Sequence, residues 1–368
     1  MKILKRAEKF IKKIIEKPIL QMAKRKILPL KSDVIKEYSV RNVLFIRDDR
    51  CGDVIVSEPV FRYLKKAHPE VKIFILLGKH NISTLSGINP YIDKAFLEKK
   101  SLREYFRLRR ELRCEKIDLI VDMKDSKSLI STVIMLLVYP RYTAGLDDGK
   151  RMVFNFPVMK PNPKKFNIYQ RTGNILSLFG YDCSSLDLRP NFALNKPHGK
   201  YKFEQYKSAG LKICSINISG SNRNKYWGVD NYVSFVKLLN GAFPEMKILL
   251  LYTADYDTEA SAIESQTPAL KSELFPNFND FAFCISASDI LLTPDTSAIH
   301  LASAFGIKSI VLYAQDISDK TKEMPWFPYE TEYRAFGSRN GQLSSISPKE
   351  VFEKSKTLFS SVCDTARL

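Results

Sequence analysis

Apolar residues along this chain come in short blocks separated by turn-forming residues. Arg41–Arg47 (RNVLFIR), Val71–Leu77 (VKIFILL) and Ile117–Val121 are β-rich apolar runs that predict buried strands, and Tyr142–Gly145 predicts a fourth. Phe61–Ala67 and an apolar stretch ending at Val138 predict helices between them. A loop-rich segment with three prolines follows, Phe154–Lys165, then a predicted helix over Asn167–Phe179. A second series starts beyond the irregular stretch Asp182–Gly199. It comprises strands at Lys212–Ser219, Lys247–Tyr252, Asp289–Thr293 and Ser309–Tyr313, with helices at Tyr232–Asn240 and Ala298–Phe305. Strand and helix in alternation predict parallel sheets covered on both faces. The expected class is α/β, with two successive doubly wound domains and a cleft between them.

The N-terminus has another pattern. Ile3, Leu4, Ala7, Phe10, Ile11, Ile14 and Ile15 form one apolar stripe at helical spacing, with lysines on the other faces, up to Pro18. Residues 1–31 hold eleven Lys or Arg against two Glu, a net +9, which is half of the chain's +18. A basic amphipathic helix of this kind can bind an anionic lipid surface. It can equally pack its stripe on the protein; nucleic acid is the weaker alternative, since no recognition motif accompanies the charge.

Length and composition narrow the class further. The 368 residues suit two domains of ordinary size, and 45% apolar with 27% charged residues excludes a disordered chain. No apolar run reaches a membrane-spanning length, and no compact apolar block precedes small residues as a secretory signal would require. The six cysteines come no closer than 31 residues in sequence, so neither a disulfide framework nor a Cys-x-x-Cys metal site is expected, and a cytoplasmic setting is the simple reading. The four histidines are scattered, so no metal site is expected from them either.

Ligands of doubly wound sheets bind beyond the carboxyl ends of the strands. Three motifs lie at such ends. Arg47-Asp48-Asp49-Arg50-Cys51-Gly52-Asp53 follows the first strand. Gly52 is read as a turn, and Asp53 either faces the cleft as a base or caps a helix. Ser219-Gly220-Ser221-Asn222-Arg223-Asn224-Lys225-Tyr226-Trp227 follows the first strand of the second series. Its glycine, hydroxyls and cations suit phosphate oxygens; a polar surface turn anchored by Trp227 is the plainer alternative. Pro294 to Ala302 joins a strand to a helix whose free N–H groups and dipole favour a pyrophosphate. Thr296 and Ser297 add hydroxyls there. Asp295 suits a sugar hydroxyl or the loop itself, and His300, one turn in, is read as a buried, backbone-bonded histidine or a ligand contact.

In this order the three motifs resemble glycosyltransferase family 9, the ADP-heptose heptosyltransferases of lipopolysaccharide core synthesis. The family's Arg-x-x-x-x-Gly-Asp is matched by Arg47 to Asp53, its Lys-aromatic-Trp by Lys225-Tyr226-Trp227, and its Asp-Thr-Gly-x-x-His-Leu-Ala-Ala by Asp295 to Ser303. Asn89-Pro90-Tyr91-Ile92-Asp93 matches a further habitual phrase. Ser297 replaces a glycine, and Asp122-Met123-Lys124-Asp125 stands where the family often has Asp-Leu-Gln-Gly.

The resemblance implies a GT-B fold. Its parts would be a basic extension (1–40), an acceptor-binding domain (41–195), a nucleotide-sugar-binding domain (196–346) and a C-terminal helix (347–368). It implies inversion at the sugar carbon with no essential metal or cofactor. Asp53 corresponds to the general base. Ser219, Ser221, Lys225, Asp295, Thr296, Ser297 and His300 fall to the donor side, as does Asp255, with Glu259 as the fallback ribose-binding acid. Arg47, Arg50 and Lys124 fall to the acceptor side. The implied partners are a nucleotide sugar, a lipid-linked or glycan acceptor and the inner face of an anionic membrane, without nucleic acid. Another nucleotide sugar, a protein acceptor, or a binding protein without transfer activity are the competing readings.

Overall fold

The computed structural model describes residues 17–99, 101–149, 152–199, 201–220 and 222–364. The predicted stripe Ile3–Ile15 and Ser221 lie outside them. The chain divides into two compact units. One takes Met1–Asn162 and Ile168–Leu188, the other Pro163–Asn167 and Arg189–Leu368.

Each unit is built on a six-stranded, all-parallel sheet. In the first, β1 (Asn42–Ile46), β2 (Lys72–Gly78), β3 (Lys94–Glu98), β4 (Leu119–Asp122), β5 (Tyr142–Asp147) and β6 (Phe156–Met159) lie in the order β3-β2-β1-β4-β5-β6. In the second, β7 (Ile213–Asn217), β8 (Lys247–Leu251), β9 (Leu270–Lys271), β10 (Ile290–Pro294), β11 (Lys308–Tyr313) and β12 (Tyr333–Gly337) lie in the order β12-β11-β10-β7-β8-β9. Among the described residues the helices of eight or more residues are α1 (Cys51–Ala67), α2 (Leu102–Cys114), α3 (Leu129–Val138), α4 (Val229–Ala242), α5 (Asp257–Glu264), α6 (Phe278–Ser286), α7 (Ser297–Phe305) and α8 (Pro348–Asp364). Each sheet reverses its strand order once, between β1 and β4 and between β7 and β10. These reversals are the switch points where such folds take ligands.

The central strands are apolar on both faces, as strands covered by helices must be. Val43–Ile46, Ile73–Leu77 and Leu119–Val121 are fully or almost fully buried, as are Ile213, Cys214 and Ile216 in the second sheet. Each such Val, Leu or Ile side chain contributes about 1.5–3 kcal/mol by leaving water. In the second unit α4 and α8 pack on the sheet through Phe235, Phe352 and Phe359.

Three local expectations change. The helix after the first motif begins at Cys51 rather than beyond Pro59, and Gly52 is its second residue rather than a turn. Pro59 does not end it because buried residues on both sides, Val54–Val56 before it and Val60, Phe61 and Leu64 after it, hold the helix against the sheet. The stretch read as loop contains β6, an edge strand that tolerates Pro157. The helix expected over Asn167–Phe179 is α-helical only at Ile168–Gly173 and tightens to a 3-10 turn over Asn174–Leu178.

Candidate active site

Both switch points gather the motif residues of their own unit. In the first unit the chain leaves β1 at Arg47 and enters α1 at Cys51. Arg47 is buried at the crossing from β1 to β4. Its Nε donates to the Asp53 carbonyl at 3.1 Å, and NH1 donates to the Met123 carbonyl at 2.6 Å and to Asp49 Oδ2 at 3.2 Å. NH2 lies 3.4 Å from Asp53 Oδ1. The carboxylates of Asp49, Asp53, Asp122 and Asp125 raise the pKa of this guanidinium although burial opposes the rise, so it stays charged. Arg47 therefore acts from inside the fold, holding two carboxylates and the β4 end together.

Asp53 sits in the first turn of α1, where the helix dipole favours an anion. It is buried all the same. Burial pushes its carboxyl up to about 6; Arg47 pulls it down, and the adjacent Asp49 adds to the rise. Lys124, after β4, reaches back to Asp48 and donates to Ser128 Oγ at 3.0 Å. Arg50 is exposed at the N-cap of α1. Asp125 receives Lys160 at 3.1 Å and the buried Arg171 at 2.8 Å. The first motif and the residues after β4 thus form one charged cluster.

The second unit repeats this plan. Lys225 follows β7 and Asp295 follows β10, on opposite sides of the reversal. The Lys225 ammonium donates to the Asp295 carbonyl at 2.7 Å and to Oδ2 at 2.6 Å. Asn217, the last residue of β7, donates to Thr293 Oγ1 at 3.0 Å and Thr296 Oγ1 at 3.3 Å. Thr296 caps α7, accepting from Ala298 N, and Ser297 is the helix's first residue. Half-buried Asp295, Thr296 and Ser297 therefore line the N-terminus of α7, where the helix dipole favours an anion. Ser219 Oγ accepts from Thr253 N at 2.8 Å, tying the ends of β7 and β8.

The remaining sequence-predicted residues are spread out. Asp255 is exposed in a 3-10 turn after β8. Glu259, on α5, accepts from Arg223 NH1 instead. His300 is buried beside Trp326, ring centroids 5.7 Å apart. Trp227 is fully buried and donates to the Ile346 carbonyl at 2.9 Å, which fixes the end of the Lys225 loop to the core.

Sequence reasoning missed Asp49 as Asp53's neighbour, and it missed Asn217 and Thr293 as ties of the loops after β7 and β10. A signal existed for the last two. They are polar residues at or next to the carboxyl ends of largely apolar strands. Arg223, read from the sequence with Lys225 as a cation for phosphate oxygens, pairs with Glu259, and its guanidinium lies over the rings of Tyr256 at 4.9 Å and Tyr226 at 5.8 Å.

The model of glycosyltransferase family 9 (heptosyltransferase) matches residues 105–356. The chain belongs to glycosyltransferase family 9. It is 33% identical over 295 residues to lipopolysaccharide heptosyltransferase 3 of Escherichia coli, covering 75% of this chain and 83% of that one. To lipopolysaccharide heptosyltransferase 1 of Campylobacter coli it is 22% identical over 289 residues, covering 74% and 83%. The solved structure of E. coli heptosyltransferase WaaC with ADP-2-deoxy-2-fluoro heptose superposes with a TM-score of 0.65 at 14% identity, covering 86% of this chain and 99% of that one. The two parallel sheets are thus the Rossmann-like units of a GT-B glycosyltransferase. No helix among the described residues of this family 9 enzyme is long and apolar enough to cross a membrane.

Proposed function

We propose that this glycosyltransferase moves a heptose from ADP-heptose to a lipopolysaccharide core or related glycan acceptor, with inversion at the anomeric carbon. The observation that carries the reading is the pairing of chemistries at the two switch points. One holds a buried carboxyl pushed up to about 6, the other a lysine beside a helix N-terminus. The names of the relatives supply the sugar: two are lipopolysaccharide heptosyltransferases, and WaaC was solved with a fluorinated ADP-heptose.

In the proposed step Asp53 takes the proton of an acceptor hydroxyl. That oxygen forms a bond to the anomeric carbon, and the bond from that carbon to the diphosphate oxygen breaks on the opposite face. A base whose pKa lies near the working pH is well placed for this, since general-base help is typically about 10²–10⁴-fold. The leaving diphosphate gains charge, which Lys225 and the N–H groups of α7 stabilise, so no divalent ion is assigned a role. Ser219, Thr296 and Ser297 contact the phosphates, and Asp295 contacts the sugar. Asp255 or Glu259 holds the ribose, and His300 supports the loop from behind. Arg50 and Lys124 face the acceptor, with Arg47 fixing the base. The acceptor is lipid-linked, and the enzyme works at the inner face of an anionic membrane, in keeping with the +9 of residues 1–31.

The test is a thermal-shift panel of nucleotide sugars, since a bound donor stabilises by mass action. Turnover with the best donor and NMR of the product anomer follow. ADP-heptose is expected to give the largest shift and an inverted product. A larger shift with another nucleotide sugar, or a retained anomer, overturns the reading.

A further inference from the structure

Most exposed large apolar side chains in a folded protein are scattered and need no explanation. Among the described residues nine are exposed, and four of them either flank one arginine of the first unit in sequence or belong to residues that this arginine contacts. Arg25 donates its backbone N–H to the Met152 carbonyl at 2.8 Å, and its guanidinium lies 4.7 Å from the centroid of the Tyr139 ring. Met22 precedes it by three residues and Ile27 follows by two. Met22, Ile27, Tyr139 and Met152 are 74%, 66%, 69% and 61% exposed.

Tyr139 is held outward against its own backbone preference. It ends α3 in the left-handed region, with φ 52°, where glycine is the ordinary choice. The bulky ring is nonetheless kept there, largely exposed beyond its contact with Arg25.

The charge of the segment that carries Met22 and Ile27 has one sign. From Lys17 to Lys31 the chain has five basic residues and no acidic one. Lys24 and Lys26 are exposed on either side of Arg25, and Arg141 follows α3, near Asp118 at 3.7 Å. Arg109 on α2 donates to the Leu137 carbonyl at 3.0 Å, so the arginine-rich helix that carries exposed Phe106 adjoins the same corner.

We propose that this surface, centred on Arg25, is where the enzyme docks on an anionic lipid bilayer. Met22, Ile27, Tyr139 and Met152 enter the headgroup boundary, with the tyrosine's amphipathic ring at its level, and Lys24, Arg25 and Lys26 meet the lipid phosphates. The inference rests on the proposed membrane-borne acceptor, and it assigns that contact to a folded surface rather than to the N-terminal segment alone.

The experiment is flotation of the full-length protein with phosphatidylcholine vesicles, pure or with about one third phosphatidylglycerol. Three variants are compared: Lys24→Gln with Lys26→Gln; Met22→Ser with Ile27→Ser and Met152→Ser; and Tyr139→Gly. The last keeps the left-handed backbone at ease and cannot fail by strain. Wild type is expected to float with anionic vesicles only. The charge variant should lose about tenfold in affinity, and the other two several-fold, with unchanged melting temperature. Turnover of a short soluble acceptor should stay at the wild-type rate. That rate also reports the proposed reaction independently of the vesicles. Three results overturn the proposal: flotation of all three variants like wild type, equal flotation on neutral vesicles, or a wild-type dimer by sedimentation that the apolar variant converts to monomer. The last would make the surface a contact between copies of this chain.

Discussion

Arg47 and Asp53 are joined twice. The guanidinium Nε donates to the Asp53 carbonyl at 3.1 Å, and NH2 lies 3.4 Å from its carboxylate Oδ1. The contact fixes the aspartate's backbone and side chain at once. A group that has to take a proton in one geometry needs that restraint.

Replacing Asp53 by Asn keeps the shape and removes the proposed base. Turnover is expected to fall by about 10²–10⁴-fold. The Kd for donor should stay within about twofold, because the proposed donor contacts lie in the other unit. Release of nucleoside diphosphate measures the first and calorimetry the second. Near-normal turnover would assign the base elsewhere.

The pH dependence follows from the same residue. A base must be ionised, so kcat/KM should rise with pH through about 6, the value to which burial and Asp49 push Asp53. Asp49→Asn removes one negative neighbour and should move that limb to lower pH. Stability runs the other way. Asp53 titrates higher in the folded protein than its ordinary 3.8, so its contribution is present below about pH 4 and lost as pH rises through about 6. Asp53→Asn should therefore gain stability relative to wild type above pH 6, on the order of 1–3 kcal/mol, and little at pH 4. Melting curves at the two pH values decide it.

Lys225→Ala should weaken donor binding by about 10–100-fold, the worth of a hydrogen bond to a charged group. The ion pair with Asp295 is itself partly exposed. In a double-mutant cycle on stability the coupling of residues 225 and 295 is expected at about 1 kcal/mol or less. A larger coupling would mean that the pair serves the fold before it serves the ligand.

Gly220 is a third control point. A Cβ there would come within 2.8 Å of both the Lys225 Cβ and its carbonyl oxygen. Gly220→Ala must push Lys225 aside and should raise the donor Kd about tenfold, with little change in the pH profile. An unchanged Kd would show that the loop can yield without cost.

The strands found by reading the chain and those missed differ in one physical respect. β1, β2, β4 and β5, like β7, β8, β10 and β11, lie inside their sheets, and their burial on both faces writes a continuous apolar run into the sequence. β3, β6, β9 and β12 are the four edges. Edge strands are short or carry charges and proline, as in Lys94–Glu98 and Phe156–Met159, and such residues mask the pattern. α2 escaped for a similar reason. Its arginines hide the apolar stripe, although Ser101 and Glu104 form a capping pair that marks its start. At the site, the residues carried by motifs were legible one by one. The partnership of Arg47 with the β4 end was not, because it joins positions 76 apart in sequence.

In the described structure the ammonium of Lys225 is already occupied by the carbonyl and carboxylate of Asp295. A bare diphosphate must compete with both oxygens. On the proposed reading, a ligand that brings sugar hydroxyls beside its phosphates satisfies Asp295 and the ammonium together. On that reading the loop favours the intact donor over the spent nucleotide, and the Lys225–Asp295 contact that fastens the loop would also limit product inhibition.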